Sequence, residues 1–575
     1  MKLITAILLL ATIFYYCEAS AKDWWINGNF YQIYPRSFMD SDGDGIGDLN
    51  GITQRLPYVK SIGMTGAWLS PMFQSPMADF GYDISNYYEV QPEYGTKDDF
   101  RRLLEKAHEL GLKIFLDFVP NHTSDEHEWF QKSIKRIEPY TDYYVWHDGK
   151  IDQNGTRQPP NNWRSDFRYS AWEWNDERQQ YYLHQFGVKQ PDLNYRNPKV
   201  VAAMKDVLTF WLDQGVDGFR IDALPYMFEI EADQNGNYPD EPINTNCPNP
   251  DDNCHTVKIY TKDQPETFEM VYQWRELCDE YKKKHGGETR ILMTESYTSL
   301  DNNMKFYGNG IRNGSQIPFN FEIITKLNVN STAQDFANVI DSWLVRMPSH
   351  VTANWVLGNH DNHRVASRFG PERTDLLNIL AQTLPGNAVT YNGEELGLTD
   401  VYISWEDSID PQACNSDPDH YFSFSRDPAR TPFQWDDTKN SGFSTANKTW
   451  LPVADNYSEN NVKLQLLKPR SHLKVFLDLV QIRKHPSFQE GDIEVKVVDN
   501  VLVYKRENPG DIPFIVVLNL DKEGKNLNLR SLFPRIADEL VVVTNSVQSE
   551  HNKMDRVKSD NFYAEPNVGS VLVSF

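Results

Sequence analysis

The sequence predicts an α/β fold: a (β/α)8 TIM barrel with a subdomain inserted after strand 3 and a C-terminal antiparallel β domain. Three observations predict it. From residue 29 onward, eight strand-like segments alternate with helical ones. The stretch from 120 to 195 breaks that rhythm with many Trp, Tyr, Asn and Asp residues, as a small domain over the barrel mouth would. Beyond about 475 the chain changes to short alternating strands.

In chain order the barrel strands read FYQIYP, TGAWLS, LKIFLDFV, VDGFRIDAL, RILMTES, IPFNF, ANWVLGNH and NAVTYNG. Helices between them carry their own punctuation. Thr96 and Asp99 form a capping box, Phe100, Leu103, Leu104, Ala107 and Leu110 recur at helical spacing, and Gly111 is the stop. Asn197 caps the next, Pro198 opens its first turn, and Val200, Val201, Met204, Val207, Leu208 and Trp211 form its apolar face up to Gly215. The C-terminal strands are IEVKVV, VLVYKR, FIVVLNL, ELVVVT and SVLVSF. The expected division is 1–21 signal peptide, 22–119 barrel, 120–195 inserted subdomain, 196–474 barrel, and 475–575 β domain.

With 575 residues, 40% of them hydrophobic and 13% aromatic, the chain can bury a large core, so disorder is not expected. Its formal charge of -24 argues against nucleic acid and anionic membrane surfaces as partners, since both need basic patches. The N-terminal MKLITAILLLATIFYYCEASA has the lysine, apolar run and small residues of a cleaved secretory signal. The alternative, an uncleaved anchor, asks a short run to span a bilayer. No membrane span is expected in the mature chain, and a secreted, extracellular protein follows. Cys17 leaves with the signal; Cys247 and Cys254 bracket a short Pro/Asn/Asp loop and are expected to pair, leaving Cys278 and Cys414 as the second pair. Glycosylation sequons stand at Asn154, Asn313, Asn330, Asn447 and Asn456; a sixth, Asn121, falls at a strand end and is not expected to carry sugar.

Active sites of such barrels gather at the C-terminal strand ends, and here those ends are polar. In GFRID, Arg220 and Asp222 point to one face and Phe219 and Ile221 to the other. RILMTES ends in Glu295, ANWVLGNHD in His360 and Asp361, and LKIFLDFVPNH in Asp117 and His122. Each alone has a plainer reading, such as a salt bridge for Arg220 or an N-cap for Asp361. Converging on one mouth, the carboxylates suit glycosidic cleavage, in which one attacks the sugar and another protonates the leaving oxygen. Neither a phosphate-binding Gly loop nor a GxSxG elbow occurs.

These residues resemble the α-amylase superfamily of retaining glycoside hydrolases through DFVPNH (117–122), GFRIDALPY (218–226), TES (294–296) and GNHD (358–361). QPDLN (190–194), WWINGNFYQIYPRSFMDSDGDGIGDLNGI and SRDPARTPFQWD resemble its oligo-1,6-glucosidase and maltase branch, and the likeness looks closest to secreted insect α-glucosidases. The resemblance implies Asp222 as nucleophile, Glu295 as general acid/base and Asp361 as transition-state stabiliser. It further implies Asp83, His122, Arg220 and His360 as sugar ligands, Phe167 and Phe186 as aromatic walls, and an arginine of RDPAR, Arg426 in preference to Arg430. Arg220 is expected to keep Asp222 ionised. Ala223 resembles the small residue of α-1,4-acting members, where isomaltase-type members carry valine, so maltose, sucrose and short maltooligosaccharides are the expected substrates. Two rivals share the resemblance: transglycosidases such as sucrose isomerase or trehalose synthase, and non-enzymatic transporter heavy chains, which lack the full catalytic set. The sequence leaves the oligomeric state open.

DSDGDGIGD offers Asp40, Asp42, Asp44, the carbonyl of Ile46 and Asp48 at EF-hand-like spacing, but Gly51 stands where the bidentate Glu belongs. The stretch resembles the structural calcium loop of the same branch, and Ca2+ is expected there as a brace beside the barrel mouth.

Overall fold

The computed structural model describes residues 22–575; the expected leader and Cys17 lie outside them. Eight parallel strands appear in the predicted order: β1 (Asn29–Ile33), β2 (Gly66–Leu69), β3 (Lys113–Phe118), β4 (Gly218–Ile221), β5 (Ile291–Thr294), β6 (Ile317–Pro318), β7 (Asn354–Val356) and β8 (Asn387–Tyr391). Each pairs with its sequence neighbour from β1 to β6, while β8 joins β1 to β7. Between β6 and β7 a side chain replaces the ladder. The Asn354 carboxamide accepts from Asn320 N–H at 2.8 Å and donates to Pro318 O at 2.6 Å. Proline at that edge has no N–H to give, so an amide side chain meets its carbonyl.

Alternation along the strands sorts the core into two. Phe30, Trp68, Phe115, Ile291, Met293, Val356 and Val389 fill the barrel, with Trp24 and Trp25 packed against them. Tyr31, Ile33, Leu69, Ile114, Leu116, Phe219 and Ile221 face the surrounding helices. Thus Arg220 and Asp222 sit on the inner face, as their spacing predicted. The Thr96/Asp99 capping box and the Asn197 cap are both formed.

The segment after β3 holds a helix (Glu128–Ile134) and a three-stranded sheet with its own Trp/Tyr cluster. At the C-terminus a six-stranded antiparallel sheet contains the five predicted strands plus Arg556–Lys558, too short and polar to be read in advance. Its Leu502, Tyr504, Val516 and Val571 share a core with Leu376 and Leu380 of the helix Thr374–Thr383, so this sheet is packed on the barrel wall. No described helix is long and apolar enough to cross a membrane.

Candidate active site

Arg220 lies fully buried at the end of β4 and faces three carboxylates. Its guanidinium contacts Asp117 at 2.8 Å, Asp222, and Glu295 at 3.0 Å. One positive charge offsets three negative ones only in part, so burial lifts the pKa of each carboxyl around it. Burial raises Glu295, with Arg220 opposing and Asp222 reinforcing the rise. Burial likewise raises Asp222 against the pull of Arg220. The expected ion pair of Arg220 with Asp222 exists, and the same guanidinium also serves Asp117 and Glu295. Titration belongs to the pair.

Ala223, immediately after Asp222, is left-handed at φ 49° and ψ 30°, and its N–H donates to Glu295 Oε2 at 2.9 Å. That conformation is costly for a residue other than glycine, and here it aims an amide at the second carboxylate.

Asp361 is treated in the opposite way. Burial alone would raise it, but His360, Arg430 and Arg426 outweigh burial and hold the carboxylate well below its ordinary range. Arg430 reaches Asp361 at 3.0 Å and the His360 carbonyl at 2.8 Å, and Arg426 reaches Asp361 at 3.5 Å. Asp361 does not cap the following helix, whose N-cap is Arg364. Burial pushes both His360 and His122 down, His122 to about 4. Tyr82 Oη lies 2.5 Å from His360 Nε2 and donates to Asp117 at 3.1 Å, linking the His360 ring to the Asp117 carboxylate.

These groups surround a cavity of about 240 Å3 lined by Asp222, Glu295, Asp361, His122, Phe167, Phe186 and Arg426. Of the RDPAR arginines, Arg426 lines the space, while Arg430 stands behind Asp361. Arg220 and His360 lie beneath the lining and position it. Phe167 and Phe186 meet edge to face at 5.9 Å, and Arg426 lies 5.0 Å over the Phe167 ring.

Asp83 is corrected. It is fully buried, accepts from Ser75, Ala78 and Asp79, and only ties its own loop together. Asp79, four residues earlier, lines the cavity and pairs with Arg426 at 2.6 Å. DFGYD offers two aspartates, and only the loop's curl decides between them. Asp166, Tyr226, Tyr297, Asn362 and Gln412 also line the cavity and were not anticipated, since they come from loops of no fixed period. Gln190 of QPDLN lines it as well, donating to Asp79 at 3.1 Å.

Cys247 and Cys254 are bonded, as expected. The second pair is a correction: Cys278 and Cys414 are free. Cys278 is sealed in the core on the helix Pro265–His285, whereas Cys414 is exposed on the short helix Pro411–Cys414. An even count says nothing of place. Asn154, Asn313, Asn330, Asn447 and Asn456 are exposed, and Asn121 is buried.

In the DSDGDGIGD loop, carboxylate oxygens of Asp40, Asp42 and Asp48 come within 4.8 Å of one another. Asp40 also accepts from the amides of Asp42, Gly43 and Gly45, and Asp48 caps the helix Leu49–Ser61. From this loop Gly45 O accepts from Trp450 N, and the Trp450 ring stacks on Tyr34 beside His360 and Arg430.

Cleaving a bond between sugars by acid–base chemistry needs a carboxyl that keeps its proton beside one able to attack. This barrel mouth supplies both, and the fold and site together define a glycoside hydrolase. The description "Alpha amylase, catalytic domain" matches residues 32–491. Maltase A1 of Drosophila melanogaster is 58% identical over 574 residues, 99% of each chain. A salivary alpha-glucosidase of Anopheles gambiae is 55% identical, over 96% of this chain and 94% of its own. Among solved structures, an alpha-glucosyl transfer enzyme superposes with a TM-score of 0.83 at 34% identity, covering 96% of this chain and 100% of its own. The chain belongs to the alpha-amylase family.

Proposed function

We propose that the protein is an α-glucosidase, a maltase, that releases glucose from the non-reducing ends of maltose, sucrose and short α-1,4-linked oligosaccharides. The observation that carries this reading is the sharing of one guanidinium by Asp222 and Glu295 at the cavity they line with Asp361. Two carboxyls sharing one guanidinium stand together at the cavity as an attacking and a protonating group, which suits a retaining double displacement.

In the first step the Asp222 carboxylate attacks the anomeric carbon while Glu295 gives its proton to the departing oxygen. A glucosyl ester forms and the glycosidic C–O bond breaks. In the second, Glu295, now ionised, takes a proton from water, whose oxygen attacks the same carbon and frees Asp222. Asp361, held ionised, faces the cation-like ring in both transition states. Asp79, His122 and Arg426 offer polar groups to the sugar hydroxyls.

The names of the curated relatives support the substrate class, and the salivary relative supports secretion. Glycans on the exposed sequons belong to the same reading. So does a calcium ion held by Asp40, Asp42, Asp44, Asp48 and the Ile46 carbonyl; the clustered carboxylates of Asp40, Asp42 and Asp48 suit a hard cation, which would neutralise their repulsion. A transglycosidase is the second reading, favoured by the likeness to an alpha-glucosyl transfer enzyme, because the same glucosyl ester can be passed to a sugar instead of water. All three catalytic carboxylates line one cavity, which speaks against a transporter heavy chain.

The test gives the purified protein maltose, isomaltose, sucrose and starch separately, and identifies products and their anomeric form. α-Glucose from maltose is expected. β-Glucose as the first product would overturn the retaining mechanism, and a disaccharide as the main product from dilute sucrose would favour transfer.

A further inference from the structure

The cavity's two walls belong to distant parts of the chain, and Asn415 hydrogen-bonds them together. Asn415 Nδ2 donates to the Phe167 carbonyl at 2.8 Å. In return its own carbonyl accepts from Arg168 Nη1 at 3.2 Å and from Tyr169 Oη at 3.1 Å. Phe167 is the aromatic wall of the inserted segment, and Asn415 lies in the loop that carries Gln412 and Arg426. Three hydrogen bonds thus cross the mouth at one point.

The far side is braced. Arg168 and Tyr169 are successive non-glycine residues at φ 74° and 65°, a conformation that costs energy unless neighbours impose it. Those neighbours come from the disulfide loop: Asp252 pairs with Arg168 at 3.0 Å, and Asp251 O accepts from Tyr169 N at 2.8 Å. The Arg168 guanidinium also lies 5.6 Å over Phe424, again on the opposite wall. Strain at Arg168 and Tyr169 is held in place by contacts whose evident effect is to turn both side chains onto Asn415.

We propose that Asn415 and Arg168 form a strap that sets substrate length. By tying the inserted segment to the 410–426 loop, it narrows the mouth to a chain end and limits what extends outward from the cavity. Neither residue lines the cavity or touches the reacting carboxylates, so both are positioning residues. The proposal rests on the α-glucosidase reading.

The test compares Asn415→Ala, Asn415→Asp and Arg168→Ala with the parent on an aryl α-glucoside, maltose and maltoheptaose. Asn415→Asp keeps the volume but loses the N–H that reaches Phe167. The ratio of kcat/KM for maltoheptaose to that for maltose should rise about fivefold in all three, with aryl-glucoside kcat within twofold of the parent. The double variant should go no further than the larger single one, since both break one connection. Amide hydrogen exchange over 167–170 and 413–416 should quicken in each, which reads the strap whether or not sugar is cleaved. Unchanged length preference in folded variants overturns the proposal, as does equal loss on all substrates or unchanged exchange. If the parent cleaves no α-glucoside while exchange quickens as stated, the α-glucosidase reading fails and the strap's architecture stands.

Discussion

The amide of Ala223 donates to the Glu295 carboxylate at 2.9 Å, so the residue after Asp222 positions Glu295. Sequence neighbours on β4 and a residue ending β5 are thereby fixed by one backbone bond, and the geometry depends on the left-handed turn at Ala223.

Ala223→Val should therefore do more than add bulk to the cavity. A β-branched residue resists positive φ, and its methyls crowd the sugar side. Maltose kcat/KM should fall roughly ten- to a hundredfold, in keeping with the about 1–3 kcal/mol that one or two methyls command, and isomaltose should lose less. Measuring both substrates in parallel checks this; an equal fall on each removes Ala223 from linkage preference.

Glu295→Gln should lower maltose turnover by about 10²–10⁴, the usual span for a lost general acid. An aryl glucoside with an acidic phenol leaves without protonation, so its first step should recover and the glucosyl ester should accumulate as a rapid burst. Asp222→Asn should show neither recovery nor burst. A burst in that variant would take the nucleophile's role away from Asp222.

Stability should fall as the medium becomes alkaline. Burial lifts Asp192 to about 8, Glu394 to about 8 and Asp83 to about 6. For a carboxyl whose folded pKa lies above its unfolded one, the stabilisation is complete below the unfolded value, near 4, and is lost as pH rises towards the folded value. Asp192 and Glu394 each cost up to about 1.4 kcal/mol per pH unit between about pH 5 and 8, and Asp83 does so only up to about pH 6. The melting temperature should drop across this window, and Glu394→Gln should flatten the slope. A protein more stable at pH 8 than at pH 5 would contradict the burial argument.

Chelation should act at a distance. Loss of calcium would loosen the loop that receives Trp450, and Trp450 stacks on Tyr34 against His360 and Arg430. Treatment with a chelator should lower the melting temperature by several degrees and reduce activity severalfold, with recovery on added Ca2+ and not on Na+. If both quantities ignore the chelator, the ion has no place in this loop.

Much of the site was legible because strands impose a period. Two-residue spacing puts Arg220 and Asp222 on one face of their strand, and the structure has both on the inner face of the barrel. What escaped depends on loops. Asp79 and Asp83 are equivalent in the sequence, and the curl of residues 75–83 turns one outward to the cavity and buries the other under backbone amides. Asp166 and Gln412 arrive from segments with no regular spacing at all. Cys278 and Cys414 show the same limit, because counting sulfurs cannot say that one is sealed behind a helix while the other faces solvent.

The Asn354 carboxamide has a consequence for how the ring of strands can come apart. Seven of its eight joints are main-chain ladders, which no substitution deletes outright, but the eighth is a clasp made by one side chain. Exchange Asn354 for leucine and the circle becomes a sheet with two free edges, N–H groups near Asn320 losing protection while those of β2 and β3 keep theirs. β6 edges that opening and pairs on its other side with β5, so the barrel's mechanical weak point lies one strand away from Glu295.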